Sequence, residues 1–177
     1  MLTAALAAKL IRQILVDYNF WPQSESDSPL RVSRWRSAPQ ATKTALTDAA
    51  ILSRDASMRR TAVGDVTPPY KAPERRIECK TLDQTFKPLV AEALTTVQAT
   101  AMNVQSGVVG LEMLEMPIEQ SEFLVQLYTA FKQLANHKVC YVVDGNNVAS
   151  DPYTGLFITG ESSDGEVIVA QTLLVQT

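Results

Sequence analysis

The chain has 177 residues, of which 46% are hydrophobic and 20% are charged, values typical of a globular domain with a buried core. Its formal net charge of −3 argues against nonspecific nucleic-acid binding by the whole molecule. The charge is uneven, because residues 1–88 carry 14 Lys/Arg and 9 Asp/Glu, whereas residues 89–177 carry 2 and 10. This uneven charge distribution is typical either of a protein whose acidic end binds a basic partner or of a protein with two solvated charged faces.

The N-terminal segment predicts an amphipathic helix over residues 2–18, because leucines recur there at helical spacing. Lys9 and Arg12 interrupt its apolar run, so we expect neither a secretory signal nor a membrane span, and we predict a cytoplasmic protein. Residues 30–35 alternate between apolar and polar side chains and predict a short strand.

The next part of the chain predicts a helix over residues 41–52 and then a basic, proline-containing loop over residues 53–76. Arginine pairs at positions 59–60 and 75–76 would suit a phosphate or nucleic-acid contact. A solvated surface loop is the favoured interpretation, because no aromatic platform accompanies these arginines.

The second half predicts a strand over residues 77–82, a helix over 86–104 with Pro88 in its first turn, and a helix over 119–136. A strand over 138–143 and a hairpin of residues 156–159 and 167–175 follow. This order predicts one domain spanning residues 1–177, either α+β or layered αβα, with a mixed sheet and a C-terminal β-hairpin.

Little in the sequence indicates catalysis. The single histidine, His137, is predicted at the end of a helix and argues against a zinc site. Cys79 and Cys140 lie far apart and are interpreted as two partly buried thiols in a reducing compartment, not as a disulfide framework. The chain has neither a glycine-rich phosphate loop nor a nucleophile elbow. We therefore expect a non-enzymatic protein that needs no cofactor.

An acidic loop over residues 21–32 is the most informative stretch. It places Glu25 and Asp27 among Ser24, Ser26 and Ser28, between an aromatic pair and a proline turn. Two carboxylates in a loop held between ordered elements suit the binding of a cation on a partner. An acid–base pair in a cleft is the alternative, but no nucleophile or metal set supports it.

Two parts of the chain resemble the nuclease A inhibitor family, small intracellular proteins that block a sugar-non-specific nuclease. The first is Ser-Glu-Ser-Asp-Ser-Pro at 24–29, with Val32, Trp35 and Ser-Ala-Pro at 37–39. The second is Phe-Ile-Thr-Gly-Glu at 157–161, the turn that contains Gly165, and Val-Gln-Thr at 175–177. The order of the two parts, together with the terminal threonine, carries the resemblance.

The resemblance implies a three-layer αβα sandwich and an inhibitor with two anchors. Glu25, in the Ser-Glu-Ser loop, would pair with an active-site arginine of the nuclease, and Thr177 would reach the magnesium ion that the nuclease holds. Ser24, Ser26 and Asp27 would complete the partner-binding loop. A carboxylate suits bidentate hydrogen bonds from arginine, and the oxygens of a terminal threonine suit magnesium. The implied assembly is a one-to-one complex of a monomer with a magnesium-dependent nuclease, without direct nucleic-acid or membrane contact.

The middle of the chain, residues 53–118, is longer than in the family and does not follow it closely. Two alternatives therefore stay open. One is an interaction module of the same fold with a non-nuclease partner. The other is a nucleic-acid-binding protein that uses its arginines and a tryptophan, namely Arg31, Arg34, Trp35, Arg36, Arg59, Arg60, Arg75 and Arg76.

Overall fold

The structure is a computed structural model and describes residues 1–25, 28–36, 46–145 and 151–175. Its helices are α1 (Ala4–Asp17), α2 (Asp48–Val63), α3 (Leu82–Gln105) and α4 (Glu115–Lys132), with a 3₁₀ turn at Leu111–Leu114. Its strands are β1 (Arg31–Trp35), β2 (Arg75–Thr81), β3 (Ala135–Asp144), β4 (Tyr153–Glu161) and β5 (Val167–Val175). The predicted α+β class is confirmed.

The five strands form one sheet in the order β1-β5-β4-β3-β2. Every neighbouring pair is antiparallel, so the predicted mixed sheet is wrong. The reason lies in the connection between β2 and β3. Two helices, α3 and α4, leave and return as a helical hairpin, which brings the chain back to the same end of the sheet and reverses its direction.

Alternate residues of the strands supply two apolar clusters, one on each face of the sheet. Ile158 and Ala170 belong to the cluster that contains the buried side chains of α1, α3 and α4. Phe157 and Val169 belong to the other, which Ile51 of α2 joins. In the described part of the chain, α2 is the single helix of this second cluster, and the three-layer sandwich stays a prediction.

The C-terminal hairpin is confirmed and also holds the N-terminal helix. Its turn contains Gly165 at φ 81°, a left-handed conformation that glycine adopts readily. The Asp164 carboxylate accepts a 2.9 Å hydrogen bond from the backbone N–H of Ala4, in the first turn of α1. This contact satisfies a donor that the helix itself leaves unpaired.

Helix α2 corrects the predicted helix over 41–52 and the predicted basic loop over 53–76. Thr47 caps its start, since its side-chain oxygen accepts a hydrogen bond from the Ala50 N–H at 3.2 Å, and Gly64 ends it. Residues 41–45 lie outside the described residues. Residues 53–63 are helical and residues 75–76 belong to β2, so only the segment between them is a loop.

Helix α1 matches its predicted bounds within two residues, whereas α3 and α4 begin about one turn earlier than predicted. Thr81 and Gln84 form a capping box that starts α3 at Leu82, so Pro88 lies in the second turn of this helix. Helix α4 ends at Lys132, and His137 therefore belongs to β3 and not to a helix end. Within the described ranges, none of the helices combines the length and the apolar character that a bilayer crossing needs.

The two cysteines form a disulfide, so the prediction of two thiols is wrong. Cys79 of β2 and Cys140 of β3 lie directly opposite each other in the strand register, with Cα atoms 4.0 Å apart. The bridge ties the edge strand β2 to the interior of the sheet. A pairing of residues separated by 61 positions depends on that register, which sequence spacing does not reveal.

Candidate functional site

The acidic loop is closed at its base by an asparagine. The Asn19 side chain accepts a hydrogen bond from the Leu30 N–H at 2.8 Å and donates one to the Leu30 carbonyl at 3.1 Å. Trp21, at 2% exposure, packs edge-on against Phe86 of α3, with ring centroids 5.5 Å apart. The hydrophobic core therefore fixes the positions at which the loop begins and ends.

Gln23 anchors the part of the loop that follows Trp21. Its side-chain oxygen accepts hydrogen bonds from the Trp21 indole N–H at 3.2 Å and from the Tyr141 hydroxyl at 3.1 Å. Burial raises the pKa of Tyr141 to about 12, so the phenol keeps its proton and remains a donor at neutral pH. This contact anchors the loop to strand β3.

The loop then pairs with the end of the last strand. The Glu25 N–H donates a 2.9 Å hydrogen bond to the Val175 carbonyl, and the Val175 N–H donates a 3.1 Å hydrogen bond to Ser24 Oγ. Ser24 Oγ also lies 3.0 Å from Ser28 Oγ, and Ser28 is buried. The backbone of Glu25 is thus held against β5, while its side chain belongs to an exposed residue.

Of the predicted site residues, Glu25 and Ser24 lie beside the C-terminal end of β5. Ser24 uses its hydroxyl to hold Val175, so its contribution is to position the loop. Ser26, Asp27 and Thr177 lie outside the described residues, and Val175 precedes Thr177 by two positions. Sequence reasoning missed Asn19, whose only signal was an amide side chain directly before the aromatic pair.

A cavity of about 670 Å³ lies beside the loop, between α2 and the sheet. Ser28 and Val175 connect its lining to the acidic loop and to the end of β5. Its other wall is α2, where Arg54 donates a 3.2 Å hydrogen bond to the Gln171 side chain of β5. The shape of this region therefore depends on how α2 is fixed to the sheet.

A buried charge cluster fixes α2. Arg59 is fully buried and donates to the carboxylates of Asp55 at 2.6 Å and Asp151 at 2.5 Å. It also donates to the backbone carbonyls of Tyr153 at 2.6 Å and Val142 at 3.2 Å. The Asp55 contact lies within α2, and the other three join α2 to β3, to β4 and to the segment before β4.

A second arginine and a tyrosine extend this cluster. Arg75 pairs with Asp151 at 2.8 Å and with Asp144, and the Tyr70 hydroxyl donates to Asp151. Burial raises the pKa of the Asp55 carboxyl, an effect that its hydrogen bond to Arg59 opposes. Arg59 and Arg75 are therefore structural, and neither is available for the phosphate contact considered for residues 53–76.

Gly155 of β4 makes room for this cluster. A Cβ atom there would overlap Asp55 Oδ1 and lie 3.1 Å from the Val142 Cβ. Gly155→Ala is expected to lower the free energy of unfolding by about 1–3 kcal/mol, because a buried carboxylate and a strand must shift. Urea titration measures this change.

The matched control is Gly110→Ala, where the three atoms nearest to the added Cβ all belong to the flexible Glu112 side chain and the backbone is extended. Its effect is expected to stay within about 0.5 kcal/mol. Equal losses in the two variants would contradict a packing role for Gly155.

Neither a metal site nor a match to known proteins identifies the function of this region. Across the described ranges, no group of three or more His, Cys, Asp or Glu side chains is placed to hold a metal ion. No protein-family model matches the chain, and no curated protein matches it significantly. The likeness to the nuclease A inhibitor family thus stays the resemblance described above.

Proposed function

We propose that this protein inhibits a sugar-non-specific, magnesium-dependent nuclease by blocking its active site with the acidic loop and the C-terminus. The observation that carries the proposal is the backbone pairing of Glu25 with Val175. Val175 precedes Thr177 by two positions, a length of chain that spans at most about 7 Å. The pairing thus supports a shared contact surface for two proposed anchors that are 152 positions apart in sequence.

In this mechanism Glu25 acts as a carboxylate that accepts two hydrogen bonds from an arginine of the nuclease. The oxygens of Thr177 contact the magnesium ion of the nuclease, and the inhibitor holds no metal or cofactor of its own. Ser24, through Val175, keeps the loop in a fixed conformation, which limits the entropy lost on binding. Ser26 and Asp27 complete the contact surface.

The proposed assembly is a one-to-one complex of a monomeric, non-enzymatic inhibitor, without direct contact to nucleic acid or membrane. The cytoplasmic location stays a prediction. The Cys79–Cys140 disulfide is more typical of an oxidising compartment, where such bonds persist. The disulfide is consistent with a target nuclease that is secreted or that resides in such a compartment.

The nucleic-acid-binding alternative is weakened because at least three of its seven arginines are paired within the protein. Arg59 and Arg75 are buried in the charge cluster, and Arg34 forms a two-point contact with Glu166 at 2.8 and 2.9 Å. Each of these cations is already neutralised within the protein. A gel shift at low salt tests the alternative, since phosphate contacts would give salt-sensitive binding.

The test of the inhibitor proposal is Glu25→Ala, measured as the inhibition constant against a sugar-non-specific magnesium nuclease. Loss of a charge pair at the interface is expected to weaken inhibition at least about 30-fold, equivalent to about 2 kcal/mol. Addition of Gly-Ser after Thr177 is expected to weaken it as well, because the terminal carboxylate moves.

The control is Glu92→Ala, which removes an exposed carboxylate from α3, an element that carries neither proposed anchor. We expect it to inhibit like the parent. If the parent inhibits and both anchor variants match it, the two-anchor mechanism is wrong. If the parent inhibits no such nuclease, the inhibitor proposal is wrong, and an interaction module with a non-nuclease partner becomes the favoured function.

A further inference from the structure

The helical hairpin formed by α3 and α4 extends beyond the sheet. Helix α3 has 24 residues and is about 36 Å long. Its buried side chains end at Ala93, and α4 has none before Ser121. Residues 94–120, here called the hairpin tip, therefore include no buried residue. The 3₁₀ turn at Leu111–Leu114, within this segment, contacts α3.

The hairpin tip exposes large apolar side chains. Leu111 is 71% exposed, Val108 70% and Met116 67%, and four others join them, namely Leu94, Met102, Met113 and Ile118. Single exposed apolar residues are ordinary, but seven within 27 residues form a concentration that marks interaction surfaces. Three of the seven are methionines, whose flexible side chains adapt to a partner.

The charge around the hairpin tip has one sign. From residue 88 to residue 131 the chain has no lysine or arginine, and it has five glutamates, namely Glu92, Glu112, Glu115, Glu119 and Glu122. All five are exposed. An apolar surface with an acidic rim attracts a basic partner and repels both anionic lipid and a second acidic hairpin tip.

We propose that the hairpin tip is a docking surface for an amphipathic helix with a basic polar face. The apolar side of that helix covers the methionine and leucine side chains, and its lysines or arginines pair with the glutamates. The surface belongs to different elements from Glu25 and Val175. The proposal is therefore independent of nuclease inhibition.

The probe is a synthetic 18-residue helix of leucine and lysine, with leucine on one face, labelled for fluorescence anisotropy. We expect saturable binding to the full chain that weakens at least tenfold between 50 and 300 mM NaCl, as charge pairing requires. The same peptide with glutamate in place of lysine, and a scrambled peptide without an apolar face, are expected not to bind.

The double substitution Leu111→Ser and Met116→Ser is expected to weaken binding of the leucine-lysine peptide at least tenfold. Both side chains are exposed, so the melting temperature should not change. The matched control is Val66→Ser in the loop after α2, which removes an exposed apolar side chain outside the hairpin tip and should leave binding unchanged.

Three results would overturn the proposal: no saturable binding of the leucine-lysine peptide, equal binding by the double variant, or equal binding by the scrambled peptide. A concentration-dependent dimer that the double variant abolishes would assign the hairpin tip to a second copy of the chain. Binding to anionic phospholipid vesicles that the double variant abolishes would assign it to a membrane surface.

Discussion

Reduction of the Cys79–Cys140 disulfide is expected to lower the free energy of unfolding by about 2–4 kcal/mol. The bond closes a loop of 61 residues, and the loss of conformational freedom in the unfolded chain grows with loop length. Cys79 is exposed, so a reductant can reach the bond. Denaturant titration with and without dithiothreitol measures the difference.

A variant that carries both Cys79→Ala and Cys140→Ala serves as the control. It is expected to match the reduced protein in stability and to be insensitive to dithiothreitol. Protein refolded under oxidising conditions should contain no free thiol. Two titratable thiols in that preparation would show that the bond does not form.

Arg59→Met is expected to lower the free energy of unfolding by about 3–5 kcal/mol. The substitution leaves the Asp55 carboxylate buried without its cation and removes donors from the Tyr153 and Val142 carbonyls. A loss of this size approaches the entire stability of many domains. Thermal and denaturant unfolding, followed by circular dichroism, measure it.

Two further variants separate the buried charge from side-chain packing. Lys87→Met removes an exposed pair with Asp83 in α3, and it is expected to leave the midpoint of urea unfolding nearly unchanged. Addition of Asp55→Leu to Arg59→Met is expected to restore at least about 1 kcal/mol, because the unpaired carboxylate is gone. Additive losses from Asp55→Leu and Arg59→Met would contradict the assigned coupling.

Local signals in the sequence predicted the elements that depend on neighbouring residues. The leucine spacing of α1 and the turn around Gly165 gave correct elements, because amphipathic faces and turn chemistry are local properties. Residues 53–63 of helix α2 were predicted as a loop for the opposite reason. Its buried face carries Asp55 and Arg59, so the apolar periodicity that marks a helix is absent.

Sequence reasoning could not predict the features that depend on residues far apart in the chain. The disulfide required the register of β2 against β3, and the direction of those strands required knowledge that α3 and α4 form a hairpin. At the site, composition identified Glu25 as an acid in a polar loop. Its contact with Val175 depends on the position of β5 in the sheet, which no local pattern encodes.

The position of β5 also has a consequence for biosynthesis. Strand β1 pairs only with β5 in the described sheet, from Arg31 opposite Gln171 to Trp35 opposite Val167. The paired residues are more than 130 positions apart, and at about 5–20 residues per second the ribosome needs about 7–26 s to make that length. Strand β1 therefore emerges long before its partner exists, and the nascent chain presents an unpaired, arginine-containing edge that chaperones have time to bind.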